Sequence, residues 1–414
     1  VTSVSAAFGR SSPRTSRLAA RLPLHRLGLT VLALLASYAL ALAVRTPTAI
    51  IAAALATLLF LSAAVLLRRI AGVTGPRPVP RWYSPSALFV VAAVFLGRGA
   101  LDSWSAGAAA GVATLLTIAP GALLAASETP LRQAVRRGQS DGIVLLRTEA
   151  LDAARTVEAL ALDGLDTVVS GKVVDQVQPL DESHLRNLRW FAGALAHGLD
   201  SSLGRAMAKL SAAGNLTDVT RHPDQGISGS VDRHPTRIGR PAWLGLEPVN
   251  SPWEVIGVEV DGRPLGYITV ADALRAGAAE QITTLRSSGL DVVLVEVPSP
   301  RVDAVAEQAG IVTVLSDVPA GAAVVSPRAP SAPLLLGPAG QDIRVEQAEI
   351  VSAAKALELL RSTDRDQRRS IRIALGWHGV AAALAAAGLL ACWSAAAVAV
   401  LGTGVLWAVA RASR

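Results

Sequence analysis

Apolar residues are gathered into long stretches toward both ends of the chain, while the middle shows shorter periods. Residues 27–44 and 47–67 are almost wholly apolar and are separated only by a tight turn around Arg45. Residues 84–101 follow, with Arg98 near their end, and then 105–126, rich in small residues and interrupted by Pro120. A last apolar block, 371–410, divides near Cys392-Trp393 into a hairpin. A helix needs about 20 apolar residues to cross the hydrocarbon core, so this pattern predicts about six spans. A cleaved leader is the competing reading of the first stretch. A second span follows it at once and no small-residue cleavage site precedes it, which favours the span.

Residues 127–370 are the stretch able to hold a sizeable soluble core. Their second half alternates short apolar runs with amphipathic ones. Strands are predicted over 265–270, 291–297, 311–315, 322–325 and 333–336, and helices over 273–286, 302–308 and 345–360. The run 158–162 supplies an earlier strand. Strands alternating with helices imply a parallel sheet in an α/β layer. Between 162 and 265 lies a less regular region carrying Gly, Pro and His, read as an insertion into that layer.

Composition sharpens this picture. Of the 414 residues, 51% are hydrophobic and only 17% charged, whereas soluble domains run nearer a quarter charged; a purely cytosolic enzyme does not fit. The formal charge of +7 rests on Arg, since only Lys172, Lys209 and Lys355 are lysines. Arg10, Arg14, Arg17, Arg21 and Arg26 precede the first span, and Arg68, Arg69, Arg77 and Arg81 follow the second. Arg132, Arg136 and Arg137 follow the fourth; Arg368, Arg369 and Arg372 precede the fifth. All four clusters fall on one side if each predicted span crosses. The positive-inside rule then makes this a multi-pass protein of the cell inner (plasma) membrane, its middle domain and both termini cytoplasmic. The basic residues show no aromatic interleaving, so no nucleic acid is expected as a partner. Cys392 is the sole cysteine, which excludes an internal disulfide framework and any multi-thiolate metal site. The six His show no ligand spacing.

Several strings, in their order along the chain, resemble a P-type ATPase of the heavy-metal-pumping branch from about residue 84 onward. Ile118-Ala119-Pro120-Gly121-Ala122-Leu123 is similar to the broken span whose Pro lies between two metal-binding cysteines. Val157-Glu158-Ala159-Leu160-Ala161-Leu162-Asp163-Gly164-Leu165-Asp166-Thr167 resembles the strand and phosphorylation loop, Asp-Lys-Thr-Gly-Thr. Val270-Ala271-Asp272-Ala273-Leu274-Arg275 looks like an Ala-Asp-Pro-Leu-Arg segment, and Ala332-Pro333-Leu334-Leu335 like the tail of Gly-Asp-Gly-x-Asn-Asp-Ala-Pro-Ala-Leu. The resemblance implies a membrane α-helical protein carrying a cytoplasmic α/β, HAD-like phosphorylation domain with an inserted, degenerate nucleotide-binding domain. It divides the chain into a basic N-terminus (1–26), a transmembrane hairpin (27–67), a linker (68–83) and a second hairpin (84–126). The phosphorylation-like domain (127–174, 257–370) then encloses the nucleotide-like insertion (175–256), before a last hairpin (371–410) and a tail (411–414). The linker stands where an actuator domain with its Thr-Gly-Glu loop belongs, and is too short to fold as one.

The same resemblance assigns candidate residues. Asp163 occupies the place of the phosphorylated Asp, Thr167 that of the distal Thr, and Asp272 is the other acidic position retained. Gly164 replaces the Lys, while Leu165 and Asp166 replace Thr-Gly; Asp166 adds a negative charge where a phosphate would approach. Pro327 replaces the Mg²⁺-binding Asp, with Arg328 beside it and Pro330 and Ser331 for Asn-Asp. Glu296-Val297-Pro298 replaces Thr-Gly-Asp, and Ala322 the hinge Lys. Phosphoryl transfer depends on positioning and charge neutralisation, so these losses are severe. Read on its own, Asp163 is a strand-end carboxylate capping a turn.

In the insertion, Ser201 and Ser202 replace the adenine-contacting His-Pro pair, and Gly226 is the one glycine kept from a Gly-x-Gly turn, with Asp224 for the first. A plain β-turn is the competing reading of Gly226. His197, His222 and His234 lie nearby, as scattered surface residues or ligands. On the transport path Ala119 and Gly121 stand in for the thiolates that suit soft metals. Pro120 is kept and is expected to break the helix. His378 stands at a fifth-span position where the family often has Asn; it reads as a transport-path candidate or as an interfacial residue. No other metal ligand is assigned, and Cys392 is read as a bystander.

The expectation is a catalytically silent relative, a membrane-embedded regulatory or interaction partner of another transporter, or a homo-oligomer, in contact with the lipid bilayer and needing no cofactor. The alternatives are a cation-transporting ATPase with unorthodox residues, for which Mg²⁺ and ATP would be required, or a fragment of a larger transporter.

Overall fold

A computed structural model of the chain describes residues 24–68, 73, 83–328 and 332–412. The arginines at 10–21, 69, 77 and 81, most of the linker 68–83, and Pro330 and Ser331 lie outside the described residues. The described chain forms two units, one from the membrane-type helices and one from most of 141–358.

Five helices open the chain: α1 (Leu24–Val44), α2 (Pro47–Arg68), α3 (Tyr83–Leu101), α4 (Trp104–Thr117) and α5 (Gly121–Ser140). β1 (Ile143–Leu145) and α6 (Glu149–Thr156) lead to β2 (Ala159–Asp163), β3 (Val169–Pro179), α7 (Leu185–Ala196) and α8 (Ser202–Met207). Five strands follow: β4 (Leu216–His222), β5 (Gly226–Val231), β6 (His234–Gly239), β7 (Glu254–Val260) and β8 (Arg263–Leu274). Then come α9 (Ala278–Ser287), β9 (Asp291–Val295), α10 (Pro300–Ala309), β10 (Thr313–Leu315), β11 (Ala323–Val325), β12 (Leu334–Leu336) and β13 (Ile343–Val345). The long α11 (Ile350–Ala386) and α12 (Cys392–Ala412) close the chain.

Among the described residues four helical segments are long and apolar enough to cross a membrane: Pro47–Val65, Tyr83–Leu101, Trp104–Ser140 and Cys392–Arg411. This corrects the expectation of about six. The first apolar stretch yields only the shorter segment Gly28–Val44. The fifth expected span is not a separate helix: it is the last part of α11, which enters it without a break from the charged turns holding Arg361, Arg365, Arg368 and Arg372. The helices pack through small residues, with Ala33, Ala56, Ala119, Ala122, Ala374 and Ala396 buried between them. Small side chains let helix backbones approach closely where no hydrophobic gain separates protein from lipid.

In the other unit, β10-β9-β2-β11-β12 form a parallel sheet in that order. β2 is its centre, pairing Leu162 with Leu294 on one side and with Val325 on the other. Leu160, Ala161 and Leu162 are fully buried, which is why this strand reads as an unbroken apolar run rather than an alternating one. The expected parallel α/β layer is therefore present. The order of connections reverses between β2 and β11, so residues following these two strands meet at a switch point, the usual place for chemistry in such sheets.

A second sheet, β3-β8-β7-β6-β5-β4, is antiparallel throughout. The strand expected over 265–270 belongs here and not to the parallel layer, because β8 pairs along its length with β3, Val174 facing Val270. That pairing continues to Leu274 opposite Val169, so the helix expected from 273 begins only at Ala278. Likewise the helix expected from 345 begins at Ile350, after β13. α7 and α8 cover one face of the antiparallel sheet, where Leu188, Leu195 and Met207 pack on Ile227, Val258 and Ile268.

Candidate functional site

Asp163 ends β2 at the switch point. Its Oδ2 accepts a hydrogen bond from the buried Ser326 hydroxyl at 2.6 Å, and Ser326 Oγ accepts from the Arg328 amide at 3.0 Å. The carboxylate is thus engaged by the loop that follows β11. Gly164, next along, has φ +92° and ψ 154°, and its amide donates to the Val295 carbonyl at 3.0 Å. This backbone region is essentially restricted to glycine. Thr167 is buried and turned inward, its hydroxyl donating to the Gly164 carbonyl at 2.7 Å.

Both acidic and basic side chains stand in the loops beside Asp163, with Arg328 in the loop after β11 and Asp166 in the loop after β2. Glu296 Oε2 lies 3.9 Å from where a Cβ on Gly164 would stand. Asp166 is exposed, and Ala322, at the hinge-lysine position, is buried. Pro327 offers no side-chain oxygen. Among the described residues no group of three His, Cys, Asp or Glu side chains converges to hold a metal ion.

Asp272 does not join Asp163. It lies on β8, its carboxylate only 3% exposed, and is gripped by both edges of the Arg301 guanidinium, Nε to Oδ2 at 2.6 Å and Nη2 to Oδ1 at 2.9 Å. Those hydrogen bonds raise the guanidinium above its ordinary pKa, against the opposing effect of burial, and Glu254 and Asp166 add attraction. Arg301 was not a sequence candidate. Its one signal, an Arg after Ser-Pro at a helix start, is common.

Gly226 does line a cleft, of about 520 Å³, together with Ser201, Leu203, His222, Arg221 and Arg240. Its glycine identity has a structural cause all the same: a Cβ there would stand 2.1 Å from the Ile238 carbonyl oxygen on the neighbouring strand. Ser201 caps α8, accepting from the Gly204 amide at 3.0 Å. His222 bonds Ser228 Oγ at 2.8 Å and packs 5.0 Å from the Trp243 ring. His197 meets the Ser211 carbonyl and His234 meets Asp261. All three histidines are held by protein partners.

In the helical unit, α4 stops at Thr117 and α5 starts at Gly121, so Pro120 sits in the break that its missing amide predicts. The carbonyl of Ile118, released by that break, accepts a hydrogen bond from the Tyr83 hydroxyl at 2.8 Å. The same hydroxyl is bonded to Nδ1 of His378, which is buried on α11. One phenol can donate its proton to Ile118 and accept from Nδ1–H. Pro120 and His378 are therefore brought to one place by Tyr83, which was not a sequence candidate. A Cβ on Gly121 would stand 2.9 Å from Leu59 Cδ1 and 3.1 Å from Thr403 Oγ1. The position is walled in by its neighbours.

No family model matches the chain. It is similar to a copper-exporting P-type ATPase of Mycobacterium tuberculosis, 29% identical over 325 residues that cover 68% of this chain and 43% of that protein. The probable copper-transporting ATPase PacS of Synechococcus elongatus is 26% identical over 262 residues, 58% of this chain and 35% of that protein. The chain spans less than half the length of these curated relatives. Its fold matches a crystal structure of a zinc-transporting PIB-type ATPase in the E2.Pi state, with TM-score 0.64 and 20% identity, over 86% of this chain and 67% of that one.

Proposed function

We propose that this chain is a catalytically silent member of the heavy-metal P-type ATPases, a membrane-embedded regulatory partner of an active transporter. The observation carrying the reading is the switch point itself. Asp163 is bonded to Ser326, and the neighbouring backbone has a geometry that suits glycine and opposes the lysine the chemistry needs. A strand-end carboxylate becomes a phosphate acceptor only when cations neutralise the incoming phosphate. Here Pro327, Gly164 and Ala322 stand where those groups or their ligands belong. No Mg²⁺ or ATP requirement follows from such a site.

The membrane break supports the same reading, since the released Ile118 carbonyl is capped by Tyr83 and the Gly121 face is filled by Leu59 and Thr403. The silent unit would sit in the inner membrane with residues 141–358 on the cytoplasmic side, a placement supported by the arginines that flank them, Arg132, Arg136 and Arg137 before and Arg368, Arg369 and Arg372 after. A second reading, a cation-transporting ATPase with unorthodox residues, is favoured by one feature, the cleft of about 520 Å³ that persists beside Gly226.

Phosphoenzyme formation separates the two. Purified full-length protein is incubated with labelled ATP, Mg²⁺ and a panel of soft and hard cations, beside Asp163→Asn. The silent reading expects no acid-stable label under any cation. Hydroxylamine-sensitive label that is lost in Asp163→Asn overturns it and establishes the pump.

A further inference from the structure

The chain passes between its parallel layer and its antiparallel sheet at two places, between β2 and β3 and between β8 and α9. Charged side chains of both layers converge on these crossings. Arg301, from the first turn of α10 in the parallel layer, reaches across to Asp272 on β8 with the two bonds already described. Lys172 on β3, directly opposite Asp272 in the register, pairs with Glu254 of β7 at 2.7 Å. Arg275, at the second crossing, donates from Nε and Nη2 to the Asp166 carbonyl of the first crossing at 3.1 and 2.9 Å, and pairs with Glu349. Its amide also donates to the Val168 carbonyl at 2.8 Å. Lys172, Trp253, Glu254, Asp272 and Arg301 line an open pocket of about 270 Å³ at the same place.

We propose that Asp272, Arg301 and Arg275, with the Lys172–Glu254 pair of the antiparallel sheet beside them, form an electrostatic latch that clamps the antiparallel sheet to the parallel layer in one fixed arrangement. Two strands joined only at their ends to a neighbouring layer make a hinge, and hinges turn on a few terminal residues. Here those residues are cross-linked to each other and to a helix beyond them. The central carboxylate is almost wholly buried while Arg301 is half-exposed, so ionic strength screens their pairing less than it would a fully exposed pair. Apolar packing alone would leave the hinge free to turn about the crossings; the bidentate geometry of Arg301 also fixes direction, which a lysine there would not. The latch concerns motion and stands whether or not the protein hydrolyses ATP, so its test is separate from the phosphoenzyme experiment.

The test uses the full-length protein with Cys392→Ala and spin labels at Thr220→Cys on β4 and Glu307→Cys on α10, both exposed positions. The latch expects one narrow distance distribution in this parent. Arg301→Met is expected to broaden the distribution and add a second distance, and amide exchange at 164–169 and 274–278 is expected to rise roughly tenfold or more. Arg301→Lys keeps the charge without the fork and is expected to fall between them. If Arg301→Met does not fold, the double variant Asp272→Leu/Arg301→Met removes the pair without stranding a buried charge and is expected to fold and to show the same broadening. A folded single or double variant with the parent's narrow distribution and unchanged exchange overturns the latch.

Discussion

A lysine written back at position 164 would meet a backbone held at φ +92° and ψ 154° by the Gly164–Val295 hydrogen bond. Side chains with a Cβ are strained there by about 1–3 kcal/mol. Gly164→Lys is thus expected to lower stability by about that amount and to leave the protein unlabelled by ATP, read by thermal unfolding and the phosphoenzyme assay. A gain of label would show that the loop relaxes around the restored cation. At this scale Asp163 was legible, because an unbroken apolar run ending in Asp-Gly marks a buried strand and its terminus. Its partner Ser326 was not, being 163 positions away in sequence and brought near only by the pairing of β11 with β2. Asp272 was legible as an acid, but its bonding to Arg301 was not, since a serine-proline-arginine start of a helix carries no mark of what it will face.

Among the elements, the break between α4 and α5 was written in the chain by Pro120, a residue with no amide to give the helix. What holds the break is Tyr83 on another helix, whose hydroxyl serves both the Ile118 carbonyl and His378. Tyr83→Phe takes that hydroxyl from two buried polar groups, and a buried group left unmatched costs about 1–3 kcal/mol. The variant is expected to unfold at lower temperature in detergent, while Tyr38→Phe, at a half-exposed hydroxyl bonded to Thr57, serves as a control with little change. Equal shifts in both would remove the special role of Tyr83. The division of α11 shows the limit of hydropathy reading: apolar content marks where a helix can enter lipid and is silent on whether the preceding charged turns continue the same helix.

For the whole molecule, the proposed cytoplasmic placement of residues 141–358 is one that protease access checks directly. Inverted membrane vesicles are expected to lose intact residues 141–358 to trypsin, while sealed right-side-out vesicles protect them; the reverse pattern would overturn the assigned sidedness. Apolar stretches, the arginine bias and the order of the family-like strings were determined by sequence alone, because solvation and local backbone preference act on neighbouring residues without reference to the rest of the fold. The parallel α/β layer was equally legible from its periodicity. Only the tertiary structure decided that β8 joins the antiparallel sheet, that Ser326 meets Asp163, that Arg301 grips Asp272, and that Tyr83 bridges Ile118 and His378. Each of these depends on partners far apart in the chain, and the energy of a hydrogen bond or ion pair depends on a distance and a burial that no local pattern contains.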